Sequence, residues 1–152
     1  MKRVLSIHDR LIEMYRKLKK RLQKKIDKLV KSEEFIKKEN ISSALHSTTE
    51  YKQGLYYLYN EKNEIIYIGK AGTGNGTSFY DRMIGHGSGA HNKQVWYAKV
   101  DKCKFHRFEK FNDSEIELLE RLAIQKHQPK YNDKNLSEEV INGLLAKFER
   151  NS

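Results

Sequence analysis

The sequence predicts an α+β fold in which a basic helical arm precedes a small domain ordered strand, strand, helix, strand, helix. Two short runs, 54–59 and 64–71, are rich in the aromatic and β-branched residues that favour strands. The polar segment 60–63 between them is typical of a hairpin turn. These two runs therefore supply the first two strands of the predicted sheet.

Helix signals follow the hairpin. Ser78 and Ser114 each begin a capping box, which predicts two helices, and the second of these must stop before Pro129. The intervening run 94–111 is aromatic and partly alternating, which predicts a third strand, with a short helix at its start as the alternative. An amphipathic helix over about 137–148 is predicted to close the chain.

The predicted hairpin brings two tyrosines together. With a symmetric turn of even length, Tyr59 faces Glu64 and Tyr56 faces Tyr67. Directly opposed residues in an antiparallel pair share one face, with Cβ atoms roughly 5 Å apart. A turn of odd length would shift this register by one residue. The even turn thus predicts two phenol hydroxyls directed to the same place.

Composition excludes several classes of protein. The 152 residues include a single cysteine, Cys103, so neither a disulfide framework nor a cysteine-based zinc site is expected within the chain. No segment approaches the roughly 18 apolar residues of a membrane span, and the first residues lack the apolar run of a signal peptide. The expected setting is the reducing cytoplasm, without a membrane partner.

The N-terminal segment carries most of the positive charge. Residues 1–40 contain 14 Lys/Arg and 6 Asp/Glu, and thus +8 of the net charge of +10. Apolar residues recur there at steps of three and four, with lysines on the opposite face, which predicts one or two helices. The apolar stripe is expected to pack on the domain or on a second arm in a homodimer. The lysines form a solvated face, or also follow the phosphates of a polyanion.

The predicted organisation is a basic helical arm at 1–40, a linker at 41–50, a domain at 51–133 and a C-terminal helix at 134–152.

A glycine-rich loop, 71–77, precedes the first capped helix. It is interpreted as a flexible connector or as a cradle of backbone amides for phosphate; it lacks the Gly-Lys-Ser/Thr ending of a nucleotide P-loop. In the helix that follows, Arg82 and His86 are four residues apart and share a face. Tyr80 is either a third phenol at the site or a packing residue. His91, in the next loop, is either a surface residue or a contact to the substrate.

Glu120 lies on an unusual face of the second capped helix. At about 100° per residue it falls between Ile116 and Ile124, whereas Glu117 and Arg121 belong to the polar side. A carboxylate flanked by apolar neighbours must find a cation, because an unpaired buried charge is costly. The partner is expected to be a Lys or Arg in a salt bridge, or a hard divalent metal ion that prefers oxygen ligands.

Five elements in order carry a resemblance to a known family. They are Gly54-Leu55-Tyr56, Tyr67-Ile68-Gly69-Lys70, the Arg82/His86 pair, Leu118-Leu119-Glu120 and Gln128-Pro129-Lys130-Tyr131-Asn132. In this order and spacing, over roughly half the chain, they resemble the motifs of the GIY-YIG nucleases. The Tyr67 motif and the Pro-Lys-Tyr-Asn ending are most similar to the nuclease domain of the bacterial excision-repair incision subunit. The Arg82/His86 spacing is also similar to that of phage homing endonucleases.

The resemblance implies a three-stranded antiparallel sheet flanked by helices, and a metal-dependent endonuclease that hydrolyses DNA. It implies Mg²⁺, or another hard divalent cation such as Mn²⁺, bound by Glu120. Tyr67 and Arg82 would hold the water or the scissile phosphate, and Lys70 would assist. Asn132 would support the site structurally or by a polar contact.

The identity of the base stays open at this point. A phenol with a pKa of about 10 is a poor base at neutral pH. Tyr56, His86 and a metal-bound water are therefore alternative bases. Two other interpretations also remain: a nucleic-acid-binding module that has lost activity on the same fold, and a restriction- or recombination-type nuclease that acts as a dimer through its arm.

Overall fold

The computed structural model describes residues 4–46, 48–88, 95–133 and 138–150. Within these ranges the fold is α+β, as predicted, but the antiparallel sheet has four strands rather than three. The strands are β1 (Ile36–Lys37), β2 (Gly54–Tyr59), β3 (Ile65–Ala71) and β4 (Lys102–Arg107). The additional strand, β1, is only two residues long and pairs with β4. A strand this short depends on its partner, so its own sequence carries little signal.

Five α-helices surround the sheet in the described parts of the chain. They are α1 (Ile7–Lys31), α2 (Ser43–His46), α3 (Phe79–Ser88), α4 (Asp113–His127) and α5 (Glu138–Arg150). The predicted order strand, strand, helix, strand, helix is confirmed by β2, β3, α3, β4 and α4. None of these helices is long and apolar enough to cross a bilayer.

Two local predictions are refined by the structure. In the run 94–111 the alternative holds: a short 3₁₀ helix at Val95–Lys99 precedes the strand, and only Lys102–Arg107 is extended. The capping residue of α4 is Asn112 rather than Ser114: the Asn112 side chain accepts a hydrogen bond from the Glu115 amide, and Glu115 reciprocates. Asparagine caps a helix as well as serine does, so both positions satisfied the same sequence pattern.

The strand order in the sheet is β1-β4-β2-β3, which makes β3 an edge strand. The chain that follows α4 covers part of this edge. The Tyr131 amide donates to the carbonyl of Ile66, and the Asn132 side chain bonds both the amide and the carbonyl of Ile68, each at 2.8 Å. Since these contacts reach only as far as Ile68, the end of β3 from Gly69 onward lies beyond them.

The register of the hairpin differs from the prediction. Tyr56 pairs with Gly69 rather than Tyr67, and Tyr67 pairs with Leu58. The turn is one residue longer than expected, since Tyr59 pairs with Ile65, and a bulge between Leu58 and Tyr59 adds a second displacement. Two single-residue displacements preserve the alternation of side chains, so Tyr56 and Tyr67 remain on one face as diagonal neighbours.

The two faces of the sheet bury separate cores. Leu55, Tyr57 and Ile68 pack against α1, α4 and α5 on one face. Tyr56 and Leu58 pack against Phe79 and Met83 of α3 on the other. The alternating side chains of β2 therefore separate a helical core from the face that carries the predicted phenols.

The predicted arm is partly a component of the helical core. Leu22, Ile26 and Val30 in the second half of α1 are buried, whereas several apolar residues in its first turns are exposed. Asp27 is also buried and accepts hydrogen bonds from Tyr57 and His127 at 3.1 and 2.5 Å. A boundary at residue 40 stays a prediction, but deletion of residues 1–40 would remove core side chains along with the lysines.

Candidate functional site

Tyr56 and His86 form the centre of the site. The Tyr56 side chain, only 1% exposed, crosses from β2 toward α3, where its hydroxyl lies 2.9 Å from His86 Nε2. Burial, with Arg82 adding to it, lowers the pKa of His86 to about 4, so the imidazole is neutral at pH 7. Burial, then Tyr67 and Glu120, raise the pKa of Tyr56 well above its usual value. A protonated phenol therefore faces a neutral imidazole that can accept its proton.

Tyr67 forms one wall of the same site. Its ring centroid lies 4.8 Å from that of His86 and 6.2 Å from that of Tyr56. It also stacks on Trp96 at 4.7 Å, and Trp96 in turn lies 5.2 Å from His86. Burial and then Glu120 raise the pKa of Tyr67 to about 12, whereas Arg82 and a hydrogen bond with Tyr56 act in the opposite direction. Both tyrosines are thus neutral hydroxyl groups rather than phenolates.

Arg82 projects from a well-defined turn of helix α3. Helix α3 begins with Ser78 and Asp81 bonded to each other as a capping box, as predicted, which fixes the turn that carries Arg82. The Arg82 Nε atom is buried and has no hydrogen-bond partner among the described residues, a feature that it shares with Arg107 and Arg121. What distinguishes Arg82 is its position, since its charge acts on Tyr56, His86 and Glu120.

Glu120 approaches from α4 with Lys70 beside it. Within the described residues, Glu120 forms no salt bridge, whereas the neighbouring Glu117 is paired with Arg121 at 2.9 Å. Burial raises the pKa of Glu120 to about 7 against the opposing effect of Lys70. The predicted alternative of a structural salt bridge at Glu120 is therefore not found, and its oxygens suit a hard divalent cation.

These six side chains interact electrostatically although they come from distant segments. Glu120 raises the pKa of both Tyr56 and Tyr67, and Arg82 lowers both. Lys70 and Arg82 in turn favour the ionised form of Glu120. Lys70 and Arg82 also line a cleft of about 190 Å³ with the glycine-rich loop. The structure thus brings together Tyr56, Tyr67, Lys70, Arg82, His86 and Glu120.

The three further predicted substrate contacts have different outcomes. The Asn132 side chain is engaged by the Ile68 backbone, which favours its structural role over contact with a substrate. Tyr80 is half-buried in the first turn of α3, and its assignment stays a prediction. His91 lies outside the described residues.

Two residues that matter to the geometry were not predicted as part of the site. Trp96 lies between Tyr67 and Tyr131 in a continuous stack. Gly69 was noted only as part of a motif. A Cβ atom added there would lie 2.2 Å from both the Cζ and the hydroxyl of Tyr56. The need for a glycine at this position could have been predicted from its pairing with Tyr56 across the strands, but only with the correct register.

We expect Gly69→Ala to displace Tyr56 and damage both the fold and the site. Tyr56 is enclosed by Phe79, Tyr67 and His86, so its ring has little room to move. Overpacking of this kind costs about 1–3 kcal/mol of unfolding free energy. Urea denaturation measures the loss. The matched control is Gly143→Ala in α5, where an added Cβ meets nothing within 4 Å. Equal stability of the two variants would contradict the close approach at Gly69.

Neither a comparison with protein-family models nor a comparison with curated protein sequences returns a match for this chain. The class of protein must therefore be argued from the site itself.

Proposed function

We propose that this protein is a metal-dependent endonuclease that hydrolyses DNA phosphodiester bonds by GIY-YIG-type chemistry. The observation that carries the proposal is the convergence of Tyr56, His86, Arg82 and Glu120, with no ion pair at Glu120 within the described residues. A guanidinium, a half-buried carboxyl group and a hydroxyl–imidazole pair are groups that phosphodiester hydrolysis can use. The five sequence motifs in order add support from resemblance.

Arg82 and Lys70 would bind the scissile phosphate. Both line the cleft beside the glycine-rich loop, and the guanidinium offers fixed donors to the phosphate oxygens. Because the site is partly buried, these charges act in a medium of low dielectric, where they stabilise the transition state more than they would in water. Tyr67 would orient the attacking water from the opposite wall.

Tyr56 and His86 would move the proton. The phenol passes its proton to His86 Nε2 as it takes one from the attacking water, so no free phenolate has to form. The relay leaves the proton on His86 rather than on a tyrosine whose pKa is raised well above its usual value. Burial and, to a lesser extent, Arg82 lower the pKa of His86, and a bound phosphate would neutralise part of the Arg82 contribution.

Glu120 would hold the divalent cation. When bound, Mg²⁺ or Mn²⁺ supplies positive charge that neutralises the phosphate and stabilises the departing oxygen. Within the described residues, no group of three His, Cys, Asp or Glu side chains is arranged around a metal site. The remaining ligands would then come from water and from the substrate, as Mg²⁺ favours.

The test is incubation of the purified protein with supercoiled plasmid, with Mg²⁺ or with a chelator, and separation of the nicked and linear forms. Cleavage with Mg²⁺ only is the expected result. DNA binding without cleavage under either condition would favour the inactive binding module. Linear product formed before nicked product accumulates would favour the dimeric, restriction-type alternative, because one such site cuts one strand.

The metal requirement is expected to depend on pH. Because burial raises the pKa of Glu120 to about 7, protons compete with the cation below that pH. The half-saturating Mg²⁺ concentration should therefore fall as pH rises. Below about pH 7 it should fall by up to about tenfold per pH unit, and above about pH 7 it should become constant. Cleavage rates over a Mg²⁺ series at several pH values measure this. A constant half-saturating concentration between about pH 6 and 8 would contradict the raised pKa.

A further inference from the structure

A second, larger cleft lies at the turn end of the hairpin. It has a volume of about 790 Å³ and lies between the turn beginning at Asn60, the segment Ala98–Asp101 and the chain after α4. The catalytic groups proposed above use none of its lining residues. Its lining is mixed in charge: Glu61, Glu64 and Asp101 occur with Lys62, and Lys99 and Lys130 flank Tyr131.

A row of aromatic rings links this cleft to the proposed site. Tyr67 stacks on Trp96 with ring centroids 4.7 Å apart and an interplanar angle of 23°. Trp96 stacks on Tyr131 at 5.5 Å and 9°. Tyr131 borders the cleft, whereas Tyr67 contacts His86. The rings therefore form a continuous rigid wall from the reacting groups to the cleft.

Two exposed lysines stand over the far end of this wall. Lys99 Nζ donates to the Tyr131 hydroxyl at 3.0 Å, and Lys130 Nζ lies 5.4 Å from the centroid of the same ring. Neither lysine forms a salt bridge with a carboxylate in the described ranges, in contrast to Lys102 and Lys126, which pair with Asp101 and Asp27. The Tyr131 ring thus positions two exposed cations at the border of the cleft.

We propose that Trp96, Tyr131, Lys99 and Lys130 form a subsite for the backbone phosphates of the DNA strand on one side of the scissile bond. The proposal rests on the proposed function, because the stack of rings runs from Tyr67, beside the proposed reacting groups, to the cleft. Close stacking of Trp96 on Tyr131 leaves no gap for a base, so the ligand is the phosphate backbone rather than an intercalated nucleobase.

The test compares DNA binding by the chain carrying Lys99→Ala and Lys130→Ala with binding by the unsubstituted chain. Affinity for a fluorescein-labelled duplex is measured over a salt series without divalent metal. Each phosphate contact contributes about 0.9 to the slope of log affinity against log salt, so the loss of both lowers the slope by about 1.8. The control pair, Lys110→Ala with Lys147→Ala, removes the same charge from exposed positions next to Phe111 and Phe148, which pack on the other face of the sheet.

The subsite is supported if the slope falls when Lys99 and Lys130 are replaced by alanine but not when the control pair is replaced. It is also supported if arginine at both positions restores the slope. A slope unchanged from that of the unsubstituted chain, or lowered equally by the control pair, overturns it. Cleavage is scored separately. Cleavage with an unchanged slope refutes the subsite alone, and a lysine-dependent slope without cleavage refutes the nuclease activity alone.

A neutral methylphosphonate in place of single phosphates then locates the contact. If the subsite exists, substitution on one side of the cut weakens binding by the unsubstituted chain and has little further effect on the double variant. Equal effects on both proteins would overturn the assignment.

Discussion

Glu120→Gln is expected to abolish Mg²⁺-dependent cleavage while DNA binding persists. Glutamine keeps the shape of the side chain but removes the charge that would hold the cation. Loss of metal-supplied transition-state stabilisation is worth several kcal/mol, or about 10²–10⁴ in rate. The measurements are the single-turnover cleavage rate and the affinity for a labelled duplex. Binding should be equal or slightly tighter, since a negative charge near the phosphate is removed.

Glu117→Gln is the matched control for this experiment. Glu117 lies one turn from Glu120 on the same helix, but it is paired with Arg121 and its pKa is lowered, first of all by that hydrogen bond. Loss of an exposed pair of this kind costs at most about 1 kcal/mol of stability. Cleavage should therefore remain within a few fold of the original rate. Equal losses in both variants would show that the cation is not held by Glu120 in particular.

The arrangement of the site could be predicted further than the details of the sheet. Strand alternation alone was sufficient to place Tyr56 and Tyr67 on one face, and this survived an error of two residues in register. The error arose because Asn60 accepts hydrogen bonds from the amides of Lys62 and Glu64, and Asn63 takes a left-handed conformation. Together these lengthen the turn, and composition alone does not distinguish such a turn from the shorter one.

What could not be predicted depends on contacts between distant residues. The strand β1 exists because Ile36 and Lys37 pair with a strand more than sixty residues away. In the sequence, nothing distinguishes Asp27 from the other charged residues of a basic helix. In the structure it is buried against Tyr57, Lys126 and His127. Helical periodicity identifies the face of α1 that packs against the domain. It does not identify the side chains of α4, Lys126 and His127, that contact Asp27. Likewise, Trp96 lies within a partly alternating run that predicts a strand. Its position between two tyrosines depends on the 3₁₀ turn.

Tyr56→Phe separates the role of the hydroxyl from that of the ring. The substitution keeps the packing against Phe79 and Tyr67 and removes the hydroxyl with its hydrogen bonds to His86 and Tyr67. Loss of a positioned acid–base group costs about 10²–10⁴ in rate, and the change in unfolding free energy should be about 1 kcal/mol. The cleavage rate and urea denaturation measure the two effects. A rate within tenfold of the original would show that the attacking water loses its proton by another route.

Tyr57→Phe, the same change one residue along, should give the opposite pattern. Tyr57 lies on the helical face and donates to Asp27 at 3.1 Å, so loss of its hydroxyl should lower stability and leave the cleavage rate nearly unchanged.

The proton relay also predicts how substitutions of Tyr56 and His86 combine. If the proton passes from one to the other, Tyr56→Phe combined with His86→Ala should be no slower than the worse single variant, because residues that act as one unit are not additive. Multiplicative losses would mean that the phenol and the imidazole act in separate steps.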